Sequence, residues 1–216
     1  MNQKKLFRGL FYILGLLLLA LGLTLNNKCG LGTSAMSTPA YFASLVWGVE
    51  FGDGMLVFYL LCVLVQLILK PRGEKLPVLA QILVCLVFTR VLNWMDRVVS
   101  IEPAQMGGKL LLLAAAILLT GIGVALNLNA KLIPNPGDGI IETLAQFFGK
   151  GKGITKNLFD LFCMTVTLVM GLVTGHFLWA VGIGTLLGVV GVGRVIAVFD
   201  RLCKPRLDWL TGLAPE

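Results

Sequence analysis

The sequence is short of charge. Asp, Glu, Lys and Arg make up 13% of the 216 residues, against roughly 25% in an average soluble domain. Histidine occurs once, at His176 beside a probable loop. The five cysteines (Cys29, Cys62, Cys85, Cys163, Cys203) form no CxxC pair and have no neighbouring histidine. A metal site is therefore not expected, and the cysteines read as small apolar residues. GxSxG, P-loop and HExxH motifs are all missing, and the GxG clusters lack the strand–helix context that nucleotide binding needs. We expect no enzyme and no cofactor. What the chain has is apolar surface: 57% hydrophobic residues and a mean hydropathy of +0.89. A soluble fold of this length would expose large apolar patches and aggregate, whereas in a bilayer the same surface faces lipid. The net charge of +7 raises a nucleic-acid partner, but the positive residues sit in short clusters between apolar runs, which is how membrane topology is written.

The chain repeats itself. An offset of 101 places Gly22 on Gly123, Leu25 on Leu126, Asn26 on Asn127, Leu31 on Leu132, Gly48 on Gly149, Gly52 on Gly153, Phe58 on Phe159 and Cys62 on Cys163. An offset of 104 then aligns residues 89–98 with 193–202, bringing Arg90 onto Arg194 and Asp96-Arg97 onto Asp200-Arg201. The halves are expected at 1–106 and 107–216. Residues 1–24 imitate a signal peptide, but the repeat needs them as a partner for the fourth long run, so they read as a retained first span.

Long apolar runs cover about 9–26, 55–69, 77–95, 110–128, 157–174 and 177–199. Each suits a hydrocarbon core of about 30 Å. Two shorter segments, about 35–48 and 137–149, are short for a span and long for a loop, the length of a re-entrant half-helix. If these do not cross and the N-terminus is cytoplasmic, thirteen of the eighteen positive residues fall inside, as positive-inside topology requires. The expected fold is all-α: a polytopic membrane protein with six transmembrane helices and two re-entrant half-helices (within about 30–48 and 131–149). With three spans per half the second half is upside down, an inverted 3+3 repeat of the kind used by many secondary transporters. Both termini are expected in the cytoplasm.

Residues 127–139, NLNAKLIPNPGDG, hold the densest functional signal. Pro134 and Pro136 cannot continue the preceding helix, and Asp138 is expected to cap the short helix that follows. The counterpart runs from Asn26 to Pro39, with Ser37 or Thr38 as the expected cap and Pro39 at the first helical position. A broken helix aims backbone N–H groups into the membrane, a natural substrate or ion site. Candidate substrate contacts are Asn26, Ser34, Ser37, Asn135, Asp138 and Glu142. Asp160, a costly ionisable group inside an apolar run, is the candidate coupling or gating carboxylate, with Lys156 one turn earlier to pair with it. The matched cations Arg90 and Arg194 either line the pathway or snorkel to head groups. Asn93 has no obvious partner. The glycines of VGIGTLLGVVGVG (181–193) are expected to pack around the re-entrant element.

The pattern Pro134-Asn135-Pro136-Gly137-Asp138-Gly139, a short helix ending at Gly149, then Gly153 and Asp160, resembles the YitT/YczE-type (YczE/YyaS/YitT) bacterial membrane proteins. Those carry a G-P-x-D-like element after the first helix of each half and a GxGT stretch late in the second, here Gly182-Ile183-Gly184-Thr185. The first half departs from the pattern, with Ser37 at the position of Asp138. The resemblance implies a multi-spanning fold in the bacterial inner membrane and names no substrate. The expected function is a small transporter or channel for a small solute or ion, sited between the two broken helices. The alternative is a non-transporting accessory protein that binds a partner or lipid. A homodimer is left open.

Overall fold

The computed structural model describes residues 3–213. Among the described residues there are eight α-helices and no strand: α1 (Gln3–Lys28), α2 (Thr38–Trp47), α3 (Phe51–Leu69), α4 (Lys75–Val98), α5 (Met106–Ala130), α6 (Pro136–Phe148), α7 (Lys152–Thr174) and α8 (Ile183–Thr211). Six of them, all but α2 and α6, are long and apolar enough to cross a membrane. At 1.5 Å per residue the 10-residue α2 and the 13-residue α6 reach about 15 and 20 Å, short of a bilayer core. Matched glycines end both: Gly48 at φ 67° and Gly149 at φ 61°, a left-handed geometry that costs a residue without Cβ least.

The molecule is apolar outside, and its apolar core also encloses polar side chains. Val173 is 83% exposed, while Gln66 is fully buried and exchanges two hydrogen bonds with Gln81 (3.0 and 3.1 Å). That distribution suits lipid, where buried polar groups must find partners within the protein. The chain is a membrane protein of six apolar helices.

Helix directions follow from who touches whom. Gly22 of α1 lies against Ala116 and Thr120 of α5, and Gly15 lies against Gly123 and Asn127. Arg8, near the start of α1, donates from Nε to the Ala130 carbonyl (3.1 Å) and from Nη2 to that of Lys131 (2.9 Å) at the end of α5. As numbers rise along α1 they fall along α5, so the two helices are antiparallel. Their approach is close: a Cβ on Gly22 would stand 2.6 Å from the Thr120 nitrogen, and one on Gly123 2.6 Å from the Leu19 nitrogen. Along α5 and α8 the numbers rise together, from Gly121 on Val195 to Asn129, whose Nδ2 donates to Asp200 at 2.7 Å; these two are parallel.

Helices α3 and α4 form a tight antiparallel hairpin. The Gly52 N–H donates to Asn93 Oδ1 (2.6 Å), Asn93 also donates to Asp53 (3.2 Å), and Arg90 and Arg97 pair with Asp53 and Glu50. Asn93, partnerless in the sequence, is thus the centre of a latch. Helix α7 instead packs on α2 and α6 and stands away from α8.

One span differs from expectation. The last helix begins at Ile183, not near 177, and runs to Thr211. Residues 177–182 are apolar but irregular, with Leu178 at φ 64°. They fold back on the segment before α2, where Thr33 N–H donates to the Ala180 carbonyl (3.3 Å) and Gly184 N–H to that of Leu31 (2.8 Å). Only Ala180 of this stretch is buried, while Phe177, Leu178 and Trp179 are exposed on the apolar surface. A Cβ on Gly184 would lie 2.8 Å from the Leu31 oxygen, so the start of the glycine run packs on this segment as expected.

Candidate functional site

The short helices point their N-termini at each other. Gly137 sits against Met36, its counterpart at the 101 offset: a Cβ there would lie 2.6 Å from the Met36 Sδ. Around this meeting point is a cavity of about 90 Å3. Its walls are matched residues of the two halves: Leu19 and Thr120, Leu23 and Val124, Ser34 and Asn135, Ser37 and Asp138, Met55 and Lys156, Tyr59 and Asp160. Gly188, Val189, Val192 and Ile196 of α8 complete it.

Local sequence explains how the polar groups are presented. In α6 the cap is Asn135, not Asp138: Asn135 Oδ1 accepts from the Gly137 N–H (3.1 Å). Pro136 fills the first helical position, where no N–H is needed. This correction matters, because it leaves the Asp138 carboxylate free in the cavity wall. In α2 the cap position is Ser37, whose hydroxyl donates to the Ser34 carbonyl (2.9 Å) and meets Thr33 Oγ1 at 3.1 Å, so it caps nothing. Thr38 opens the helix and Pro39 follows within its first turn. Asp160 is 3% exposed. Its Oδ2 accepts from Lys156 Nζ one turn away, the pairing expected from the sequence, while its Oδ1 has no partner. The Lys156 side chain is 39% exposed, so this ion pair joins the cavity wall to the surface of α7.

Six of the ten candidate residues line this cavity: Ser34, Ser37, Asn135, Asp138, Lys156 and Asp160. Four do not. Asn26 is buried at the end of α1, its carbonyl accepting from the Cys29 thiol (2.9 Å). Glu142 lies one turn beyond Asp138 on the same face of α6, further from the meeting point of the short helices, and pairs with Lys152 at the surface (2.6 Å). Arg90 is bound to Asp53 in the α3–α4 latch. Arg194 is exposed on α8 and outside the cavity wall. Neither arginine lines this cavity. Sequence reasoning missed Tyr59, Met55 and Thr120. The offset of 101 applied to Asp160, Lys156 and Leu19 points to all three.

A family model described as "Family of unknown function (DUF6198)" matches residues 6–201. The chain is also similar to the uncharacterized protein YyaS of Bacillus subtilis (strain 168), at 26% identity over 193 residues, 88% of this chain and 90% of YyaS. This agrees with the YczE/YyaS/YitT resemblance. No solved structure matches. With its matched region running over nearly the whole chain, the protein belongs to the family of unknown function DUF6198.

Proposed function

We propose that the protein is a small transporter for a small solute or ion, with its site in the cavity where the two short helices meet. In this reading α2 and α6 are re-entrant half-helices, residues 1–106 and 107–216 are inverted halves, and both termini lie on the cytoplasmic side of a bacterial inner membrane. Three observations support the topology. If α2 crossed the membrane, α1 and α5 would run the same way; they are antiparallel. If α6 crossed, α5 and α8 would be antiparallel; they are parallel. Contacts between the halves are also reciprocal. Gly22 meets Thr120 and Ala116, while Gly123 meets Leu19 and Gly15, the same pairs with the halves exchanged. Such self-complementarity is the mark of a two-fold relation. Phe58 and Phe159, a matched pair, stand 6.2 Å apart, as residues near such an axis do.

The observation that carries the functional reading is the cavity wall itself, built of matched residues from both halves. Inverted-repeat transporters place substrate at that interface, beside discontinuous helices. Exchange between two states, rather than a steady pore, is supported by one unequal pair: Met55 is sealed at 1% exposure, while the side chain of its counterpart Lys156 is 39% exposed. The test is flux in proteoliposomes loaded with small solutes and ions, followed by light scattering and ion-sensitive dyes. Wild type moves at least one of them, and Asp138→Ala abolishes the movement. Wild-type flux in Asp138→Ala would show that the site lies elsewhere.

A further inference from the structure

Resting on the site proposed above, we infer that its ligand is a small monovalent cation, taken by the free Oδ1 of Asp160 and the carboxylate of Asp138 in competition with the Lys156 ammonium. The ionisable groups on the cavity wall are Asp138, Asp160 and Lys156; with all three charged one negative charge is uncompensated, since Glu142, one turn beyond Asp138, is paired with Lys152 at the surface. The other elements contribute neutral groups: the Ser34 and Ser37 hydroxyls, Asn135 of α6, Thr120 of α5 and Tyr59 of α3. A carboxylate oxygen that is buried and without a donor is rare and costly unless a ligand satisfies it, and Asp160 Oδ1 is in that state.

The two helix ends do not turn the site into an anion cradle. The first turn of α6 already carries its own carboxylate, Asp138, and spends the Gly137 N–H on Asn135. The first turn of α2 contains Pro39, which has no N–H, and the turn before it is closed by the Ser37 N–H bonding to the Ser34 carbonyl (2.9 Å). Size narrows the choice further. A cavity of about 90 Å3 holds a few water-sized groups and falls well below the roughly 300 Å3 at which small-molecule pockets begin. Carboxylate, hydroxyl and amide oxygens are hard ligands suited to hard cations, and a single net negative charge beside an ammonium matches one positive charge, not two. Alkali cations and the proton share this chemistry.

Thermal unfolding of the purified protein in detergent tests the proposal, with NaCl, KCl or choline chloride titrated at fixed ionic strength. Sodium or potassium should raise Tm saturably over choline. The rise should vanish in Asp160→Asn and Asp138→Asn, and its midpoint concentration should fall at least about tenfold in Lys156→Met, where the competing charge is gone. A saturable dependence on pH in choline, lost in both Asn variants, would identify the cation as a proton. If Asp160→Asn does not fold, the half-buried Asp138→Asn carries the comparison. No difference between wild type and these variants in any salt or pH overturns the cation assignment. Flux of a neutral solute without cation dependence would do so too, while leaving the transport reading intact. Saturable cation binding with no flux of anything would leave the cation site standing and remove transport.

Discussion

The two halves have the same helices but not the same fastening. In the first, α3 and α4 are held by Asn93 on Gly52 and Asp53, by Arg90 on Asp53 and by Arg97 on Glu50. In the second, both arginines remain as Arg194 and Arg201, but the positions matching Glu50, Asp53 and Asn93 are Gly151, Ile154 and Ala197. No latch can form, and α7 and α8 stand apart. The cavity differs in the same sense. The first half contributes Met55 and Tyr59, the second Lys156 and Asp160. In the proposed reading one half seals the site and the other holds and admits the ligand.

Rebuilding the latch should have the largest effect. Ile154→Asp with Ala197→Asn gives Arg194 and α7 the partners that Arg90 and α3 have. We expect it to draw α7 onto α8, raise Tm and cut flux by at least about tenfold, since a pre-organised closed state must be paid for in every cycle. Faster flux would break the comparison. Next, Lys156→Met should cost about 2 kcal/mol of stability by stripping a buried carboxylate of its partner. Adding Asp160→Asn, which makes this wall as uncharged as the first, should restore most of the loss while leaving transport dead. Denaturation with paired flux assays measures both. Gly22→Ala and Gly123→Ala should each destabilise by about 1–3 kcal/mol through backbone clash, and by the same amount within about 0.5 kcal/mol. Gly9→Ala, with open space around it, should be neutral. Unequal losses at 22 and 123 would deny the reciprocal packing. Smallest, Asn93→Ala should cost about 1 kcal/mol and loosen the sealed side.

Much of this was legible in the sequence because the bilayer makes one dominant demand. Apolar run length located five of the six spans well, and short length marked α2 and α6 as different in kind. The run at 177–182 misled, since an irregular segment that exposes Phe177, Leu178 and Trp179 reads as apolar as a span does. Asp160, Lys156 and Asp138 stood out because charge is scarce there. Glu142 and Arg90 stood out for the same reason, but scarcity cannot tell that Lys152 lies within reach of Glu142 or Asp53 within reach of Arg90. Asn135 lost its capping role in the sequence to Asp138 because both are good caps; Pro136 at the first helical position decides between them. Tyr59 and Met55 were silent as ordinary apolar-run residues and gain meaning only from their matched positions.

The inverted arrangement is tested most directly by labelling single cysteines from either side of the membrane, in a chain whose own five are replaced. Lys28 and Val49 flank α2, and Lys131 and Lys150 flank α6. A membrane-impermeant maleimide should reach cysteines at 28 and 49 only from outside, and those at 131 and 150 only from the cytoplasm. Finding 28 and 49, or 131 and 150, on opposite sides would mean that a short helix crosses, and the inverted halves with their shared cavity would fall.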